Sequence, residues 1–285
     1  MKGRIIRLIS NQYAVLLEDG TTVNAMARGK LRLGKTPLAG DEVEVEVFED
    51  KYGIEKIYDR QNSLRRPPIA NVDQALIVMS VKEPDFSFTL VDRLIFLISY
   101  EGIEPVILLT KTDLGTPDEC ARIIDEYRDI GYQVLTNRDP KEEIQKLLEG
   151  KITVLCGQSG VGKSTLLNML DASFLLPTQP ISKALGRGKH TTRHTELYDV
   201  LGGKMADTPG FSSLEFGELN SYALAGLVPE FQKAGECRFP DCRHLKEPGC
   251  RVMEGIQKGI ISSIRYDNYK AVIPLCDQIK EWEKK

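Results

Sequence analysis

The sequence predicts a multidomain chain: an all-β barrel of OB type, then an α/β domain with a parallel sheet, then a helical segment. Three observations predict it. Short β-rich runs separated by turn signals fill residues 1–64. Apolar strands then alternate with amphipathic helices over residues 65–217, the pattern of a parallel sheet. In residues 218–285, three cysteines and one histidine crowd between Cys237 and Cys250 among predicted helices.

The bulk numbers set limits. The chain has 285 residues, 41% hydrophobic and 28% charged, as in a soluble globular protein. Its formal net charge of −3 excludes a globally basic nucleic-acid binder, so any RNA contact must come from local patches. Neither a secretory leader nor an apolar run near the ~20 residues that span a bilayer is evident. A cytoplasmic location without membrane contact is expected. Six cysteines in a chain of this kind argue against a disulfide framework.

Each element has a local reason. Gly3 to Ser10, Tyr13 to Leu17 and Thr21 to Ala25 are β-rich, with Glu18-Asp19-Gly20 as a turn. Glu42 to Phe48 (EVEVEVF) alternates strictly, the mark of a half-buried strand. Lys51 to Ile57 closes a further hairpin. Five short strands suit a small barrel of OB type, a fold that often binds oligonucleotides. Arg28-Gly29-Lys30-Leu31-Arg32, followed by Lys35, is a basic loop that suits RNA; a solvated loop is the plainer alternative. Ser63 to Pro68 reads as a proline-containing linker. Ala75 to Val81 and Val106 to Leu109 are buried strands, and Tyr132 to Leu135 is another. Helices are predicted at 88–100, with an Asp92-Arg93 pair on the face, at 117–130 and at 142–148. Residues 171–195 carry Pro177, Pro180, Gly186 and Gly188 and read as a long functional loop. Residues 196–206 suit a strand pair turning at Gly202-Gly203. Terminal helices are expected around 265–270 and 275–282.

One stretch organises the middle domain. Gly157-Gln158-Ser159-Gly160-Val161-Gly162-Lys163-Ser164 reads G-x-x-x-x-G-K-S, and Thr165 continues it into a helix. Lys151 to Cys156 before it suits a buried strand. Glycines let backbone N–H groups turn inward around phosphate oxygens, and the helix N-terminus adds partial positive charge. Lys163 would reach the β- and γ-phosphates, and the Ser164 hydroxyl would hold Mg²⁺. The alternative, a glycine-rich turn with no ligand, is disfavoured because motif and strand–helix context agree.

Thr110-Lys111-Thr112-Asp113 ends a predicted strand and resembles the guanine-reading N/T-K-x-D motif. Asp113 can accept hydrogen bonds from guanine N1–H and the 2-amino group, which adenine does not present together. The stem of Lys111 can lie over the base. Thr110 in place of Asn is expected to loosen the loop's internal bonds. Thr136 and Asn137 stand where a second guanine-contact motif, S-A-x, is usual. Asp207-Thr208-Pro209-Gly210 fits D-x-x-G: Asp207 would orient Mg²⁺, and the Gly210 N–H would sense the γ-phosphate. In the long loop, Thr192, or alternatively Thr191, would ligate Mg²⁺. The residue after D-x-x-G is Phe211, which cannot orient water as a glutamine does. His190 is the nearest polar candidate for that task, and a loop histidine contacting RNA or nothing is the bland alternative. His194 reads as an ordinary surface residue.

The order of these motifs is unusual. TKTD precedes the phosphate loop, and DTPG comes last. A GTPase sheet can keep its arrangement with that order only if the chain is circularly permuted. The domain then ends just after the γ-phosphate sensor, so a domain attached there would feel nucleotide state. Cys237-x4-Cys242-x-His244-x5-Cys250 supplies three thiolates and an imidazole, the donor set of a closed structural zinc site. Cys120, Cys156 and Cys276 read as core thiols. Arg238, Arg243, Lys246 and Arg251 interleave the ligands and suit an RNA surface, though solubility also explains them.

Together these residues resemble the bacterial circularly permuted, small-ribosomal-subunit-dependent GTPases, a ribosome biogenesis family. The resemblance rests on the barrel, the TKTD, GQSGVGKS, GRGKHTT and DTPG order, and the Cys/His knuckle. It implies an OB barrel (1–64), a permuted P-loop GTPase domain (65–217) and a zinc domain (218–285). It also implies binding to the 30S subunit and 16S rRNA late in maturation, with weak GTP hydrolysis to GDP raised by the subunit. In that family the histidine matching His190 is the proposed catalytic residue. A monomer is expected. The rival readings are a nucleotide-dependent RNA-binding module with incidental hydrolysis and an ATP-using P-loop kinase.

Overall fold

The computed structural model describes residues 1–9, 12–28, 36–65, 67–170, 195–206 and 219–277. Five strands open the chain: β1 (Lys2–Ile9), β2 (Gln12–Leu17), β3 (Thr22–Ala27), β4 (Glu42–Phe48) and β5 (Lys51–Ile57). They close a barrel in the order β1-β2-β3-β5-β4. All its pairings are antiparallel except the parallel pair β3–β5. The alternation in β4 does what its sequence predicts: Val43 and Val45 are fully buried beside Ile5, Val15, Ala25 and Ile54. The pattern breaks at the strand's end, where Val47 and Phe48 are exposed and the Arg28 guanidinium covers the Phe48 ring at 3.4 Å. At Gly40 φ is +91° and a Cβ would lie 2.0 Å from the Ala70 carbonyl oxygen, so only glycine fits.

The expected linker is in fact a hairpin, β6 (Ser63–Arg65) with β7 (Pro68–Ala70). Pro68 sits at the first position of its strand, where a missing N–H is tolerated. Asn62 clamps the base of the hairpin by exchanging two hydrogen bonds with the Val72 backbone, at 2.8 and 2.9 Å. Strand β8 (Gln74–Ser80) follows and is buried at every position.

Then come α1 (Phe88–Tyr100), β9 (Glu104–Thr110), α2 (Pro117–Arg128), β10 (Gln133–Thr136), α3 (Lys141–Leu148), β11 (Ile152–Cys156), α4 (Lys163–Leu170), β12 (Leu197–Val200) and β13 (Gly203–Ala206). Start signals explain the helices. Ser87 caps α1, and Thr116 with Glu119 forms a complete capping box ahead of Pro117 in α2. The C-terminal part adds α5 (Ser221–Gly226), α6 (Pro229–Lys233), α7 (Arg251–Gln257) and α8 (Ser263–Asp277). No helix among the described residues is long and apolar enough to cross a membrane.

The chain forms two compact units. The first comprises Met1–Leu76 and Arg138–Phe211, the second Ile77–Asn137 and Ser212–Lys285. In the first, the barrel is joined by strands in the order β8-β11-β13-β12. There β11 and β13 run parallel, and β12 turns back antiparallel on β13. Gln74 at the start of β8 donates to Leu147 O and Thr153 Oγ1, each at 2.9 Å, and so satisfies a buried amide. In the second unit the order is β10-β9-β8, with β9 and β10 parallel.

The second unit holds a buried ionic network. Asp92, read in the sequence as half of an Asp92-Arg93 pair on the face of α1, is fully buried. Its carboxylate takes the Arg265 guanidinium, the Asn268 amide at 2.6 Å and the Tyr127 hydroxyl at 3.0 Å. Arg265 is also fully buried and donates from Nε to Glu230 at 2.7 Å. Burial works against the Arg265 charge, but the Asp92 and Glu230 carboxylates overcome it and hold its pKa above the ordinary value. Arg265 lies on α8, which runs unbroken from Ser263 to Asp277 with Pro274 inside it. The expected terminal helix at 265–270 lies within α8, and the one expected at 275–282 lies mostly outside the described residues.

Candidate nucleotide and metal sites

The phosphate loop leaves β11, whose five residues are all buried, and enters α4. Gly157, Gly160 and Gly162 have φ of +132°, +84° and +93°, the conformations that make this tight turn possible. Val161 is fully buried and pins the loop. Lys163 Nζ donates to the Gly157 and Gln158 carbonyls at 2.6 and 2.5 Å, so the ammonium folds back over its own loop. Ser164 is buried in the first turn of α4. Gln158, Ser159 and Thr165 lie in the same segment, and all of it belongs to the first unit.

The TKTD turn belongs to the second unit, at the C-terminal end of β9. Thr110 is buried, and its Oγ1 donates to Met79 O at 3.2 Å. Lys111 adopts a left-handed φ of +51°, and its ammonium donates to the Glu83 carbonyl. Leu114 N–H closes the turn on Lys111 O at 3.0 Å. Thr112 Oγ1 and N–H both donate to the Asn137 side-chain oxygen, at 2.9 and 3.4 Å. The Asn137 N–H donates to Leu109 O at 2.9 Å. Thr136 and Asn137 at the end of β10 are thus brought beside the turn, which leaves the Asp113 carboxylate exposed.

Cys237, Cys242, His244 and Cys250 converge, with their ligand atoms all within 4.8 Å of one another. Cys237 Sγ and Cys250 Sγ are 4.0 Å apart, and they lie 3.6 and 3.4 Å from His244 Nδ1. Tetrahedral zinc, with Zn–S about 2.3 Å and Zn–N about 2.0–2.1 Å, requires separations of about 3.8 and 3.6 Å. The donors fit. Burial lowers the His244 pKa, which keeps the imidazole lone pair free to ligate. Burial also pushes the Cys242 thiol up to about 12, so a cation is needed to hold it as thiolate at neutral pH. The knuckle rests on Tyr266 and Tyr269, whose hydroxyls donate to the His244 and Arg243 carbonyls, each at 2.7 Å.

Several expected site residues lie outside the described residues: His190, Thr191, Thr192, His194, Asp207, Gly210 and Phe211, and the basic loop at 29–35. One group went unread in the sequence, the Asp92–Arg265–Glu230 network. Asp92 and Arg265 are 173 positions apart, and no local pattern links them.

A P-loop on a strand that follows the TKTD strand in the chain defines a permuted nucleotide-binding fold. Comparison with known proteins gives the family. The RsgA GTPase family matches residues 57–217, and the RsgA N-terminal domain matches residues 2–54. A protein of Streptococcus pneumoniae named small ribosomal subunit biogenesis GTPase RsgA is 43% identical, covering 100% of this chain and 98% of its own. One of the same name from Geobacillus sp. is 46% identical, with 98% of each chain covered. The crystal structure of YloQ, a circularly permuted GTPase, superposes with a TM-score of 0.82 at 37% identity, covering 98% of this chain and 95% of that one. YjeQ from Thermotoga maritima gives 0.84 at 32%, covering 96% and 98%. The chain belongs to the RsgA GTPase family.

Proposed function

We propose that this GTPase binds the 30S ribosomal subunit, contacts its 16S rRNA and assists its late maturation. GTP is hydrolysed to GDP and phosphate, and the subunit stimulates turnover. The observation that carries the reading is the phosphate loop, with Lys163 folded over its carbonyls, in a chain whose full-length relatives bear the small-subunit biogenesis name. Water attacks the γ-phosphorus, the bond to the β–γ bridging oxygen breaks, and the GDP oxygen leaves with the charge.

The roles follow the chemistry. Gly157 to Gly162 turn N–H groups onto the phosphates, and Lys163 offsets charge as it builds on the leaving oxygen. Ser164, Thr192 and Asp207 would hold Mg²⁺, which neutralises phosphate charge when bound; the Ser164 hydroxyl is the hard oxygen donor this ion prefers. Gly210 senses the γ-phosphate, and His190 orients the attacking water. Thr110, Lys111, Thr112, Asp113, Thr136 and Asn137 form the base-reading surface. Cys237, Cys242, His244 and Cys250 hold one structural zinc. The division into 1–64, 65–217 and 218–285, the cytoplasmic location and the monomeric state belong to the same reading.

Purified 30S subunits test it. GTP turnover should rise when they are added; an unchanged rate favours an RNA-binding module whose hydrolysis is incidental. Replacing Asp113 with Asn should lower GDP affinity about 10²-fold, since a charged bidentate pair is lost, and should raise affinity for xanthosine diphosphate. A GDP affinity within twofold of the parent removes Asp113 from base reading. His190→Ala should lower subunit-stimulated turnover about 10²-fold with GTP binding intact. Full stimulated turnover in that variant would exclude His190. Chelation should release one zinc per chain and strip hydrogen-exchange protection from residues 237–257, and a metal-free protein with full protection there would count against the knuckle.

A further inference from the structure

We propose that the Asn137 side-chain amide reads guanine O6, so that this chain selects its base with a carboxamide donor on one loop and the Asp113 acceptor on the other. The inference rests on the guanine-reading role given to the TKTD turn.

Three observations within the second unit carry it. First, the orientation of the amide is fixed. A backbone N–H can only donate, and the Thr112 N–H points at Asn137 with the Thr112 hydroxyl beside it. The atom facing them must be Oδ1, so Nδ2 lies on the opposite side. Second, no described residue takes the two Nδ2 hydrogens, while the side chain is only half-buried. Third, the Asn137 backbone N–H is committed to Leu109 O at 2.9 Å. The donor this residue can offer a ligand is therefore its side chain. Thr112, which holds the amide, directly precedes Asp113, so one turn fixes both polar ends.

The chemistry matches one base. Guanine presents an acceptor, O6, next to two donors, N1–H and the 2-amino group. A carboxamide N–H beside a carboxylate supplies the complement. Adenine carries an amino donor at position 6, which would meet the Nδ2 hydrogens donor to donor. The Asp113 carboxylate reads position 2, and Asn137 reads position 6.

The two positions are separable by nucleotide. Inosine diphosphate keeps O6 and lacks the 2-amino group. The diphosphate of 2,6-diaminopurine riboside keeps the 2-amino group, carries an amino group in place of O6 and loses the N1–H. The N1 change falls on Asp113 and is common to the parent and both Asn137 variants, so a difference between them reports position 6. Dissociation constants for these and GDP are measured on the full chain, on Asn137→Asp and on Asn137→Ala. Asn137→Asp keeps an oxygen facing Thr112 and replaces the donor with an acceptor. The expected result is that the preference for GDP over the diaminopurine nucleotide shrinks about tenfold or more in both variants. The preference for GDP over inosine diphosphate should stay within twofold. If both preferences fall together, Asn137 only supports the turn, and the proposal is overturned. An unchanged position-6 preference overturns it as well. A parent chain that binds ADP as tightly as GDP would instead defeat guanine reading itself, a separate outcome.

Discussion

Replacing Arg265 with alanine should lower stability by about 3–5 kcal/mol, read as a drop in the urea midpoint of the unit that contains it. The change strands Asp92 and Glu230, both buried, without their cation. Burial already works to raise the Asp92 pKa, and the guanidinium is the largest of the groups that oppose it. Asn268 and Tyr127 remain as neutral donors and cannot replace a full positive charge. Removing the whole network should cost far less. Arg265→Met combined with Asp92→Asn and Glu230→Gln leaves no buried charge, and it should recover most of the loss. A single Arg265→Ala variant within 1 kcal/mol of the parent would contradict the network's role. The network ties α1 to α6 and α8, so hydrogen exchange in those three helices should accelerate together in the alanine variant.

Lys163→Ala should lower kcat/KM for GTP by about 10²–10³-fold, the range found when one electrostatic contact to developing charge is removed. The lysine is already drawn over the loop by the Gly157 and Gln158 carbonyls, so little ordering remains to be done when phosphate arrives. Its loss should leave the fold intact, because the loop is pinned by Val161 and its glycines rather than by the ammonium. Single-turnover hydrolysis with a melting curve on the same sample checks both halves. A variant with parental kcat/KM would take Lys163 out of the mechanism.

The parts of this fold that were legible are those built by neighbours in sequence. Strand β4 is written in its alternation, α1 in its apolar spacing, and the phosphate loop in glycines that the turn needs at those positions. The Cys/His knuckle was legible because all four donors fall within one short stretch. What stayed hidden depends on distant partners. The 63–70 hairpin looks like a linker until Asn62 is seen clamping Val72. Helix α7 carries Gly255, which lowers its helical signal; in the fold that glycine lies against the tip of the Ile261 side chain, 2.9 Å from where a Cβ would stand. Helix α8 holds Pro274 inside it, a residue that ordinarily interrupts a helix, and runs through it from Ser263 to Asp277. Asp92 reads in the sequence as paired with its neighbour Arg93, and only the fold brings Arg265 to it.

Co-sedimentation with purified ribosomal subunits tests the central claim most directly. With a non-hydrolysable GTP analogue, the chain should pellet with 30S and not with 50S subunits, and GDP should release it. Equal binding to both subunits, or binding to 30S that ignores the nucleotide, would contradict the account.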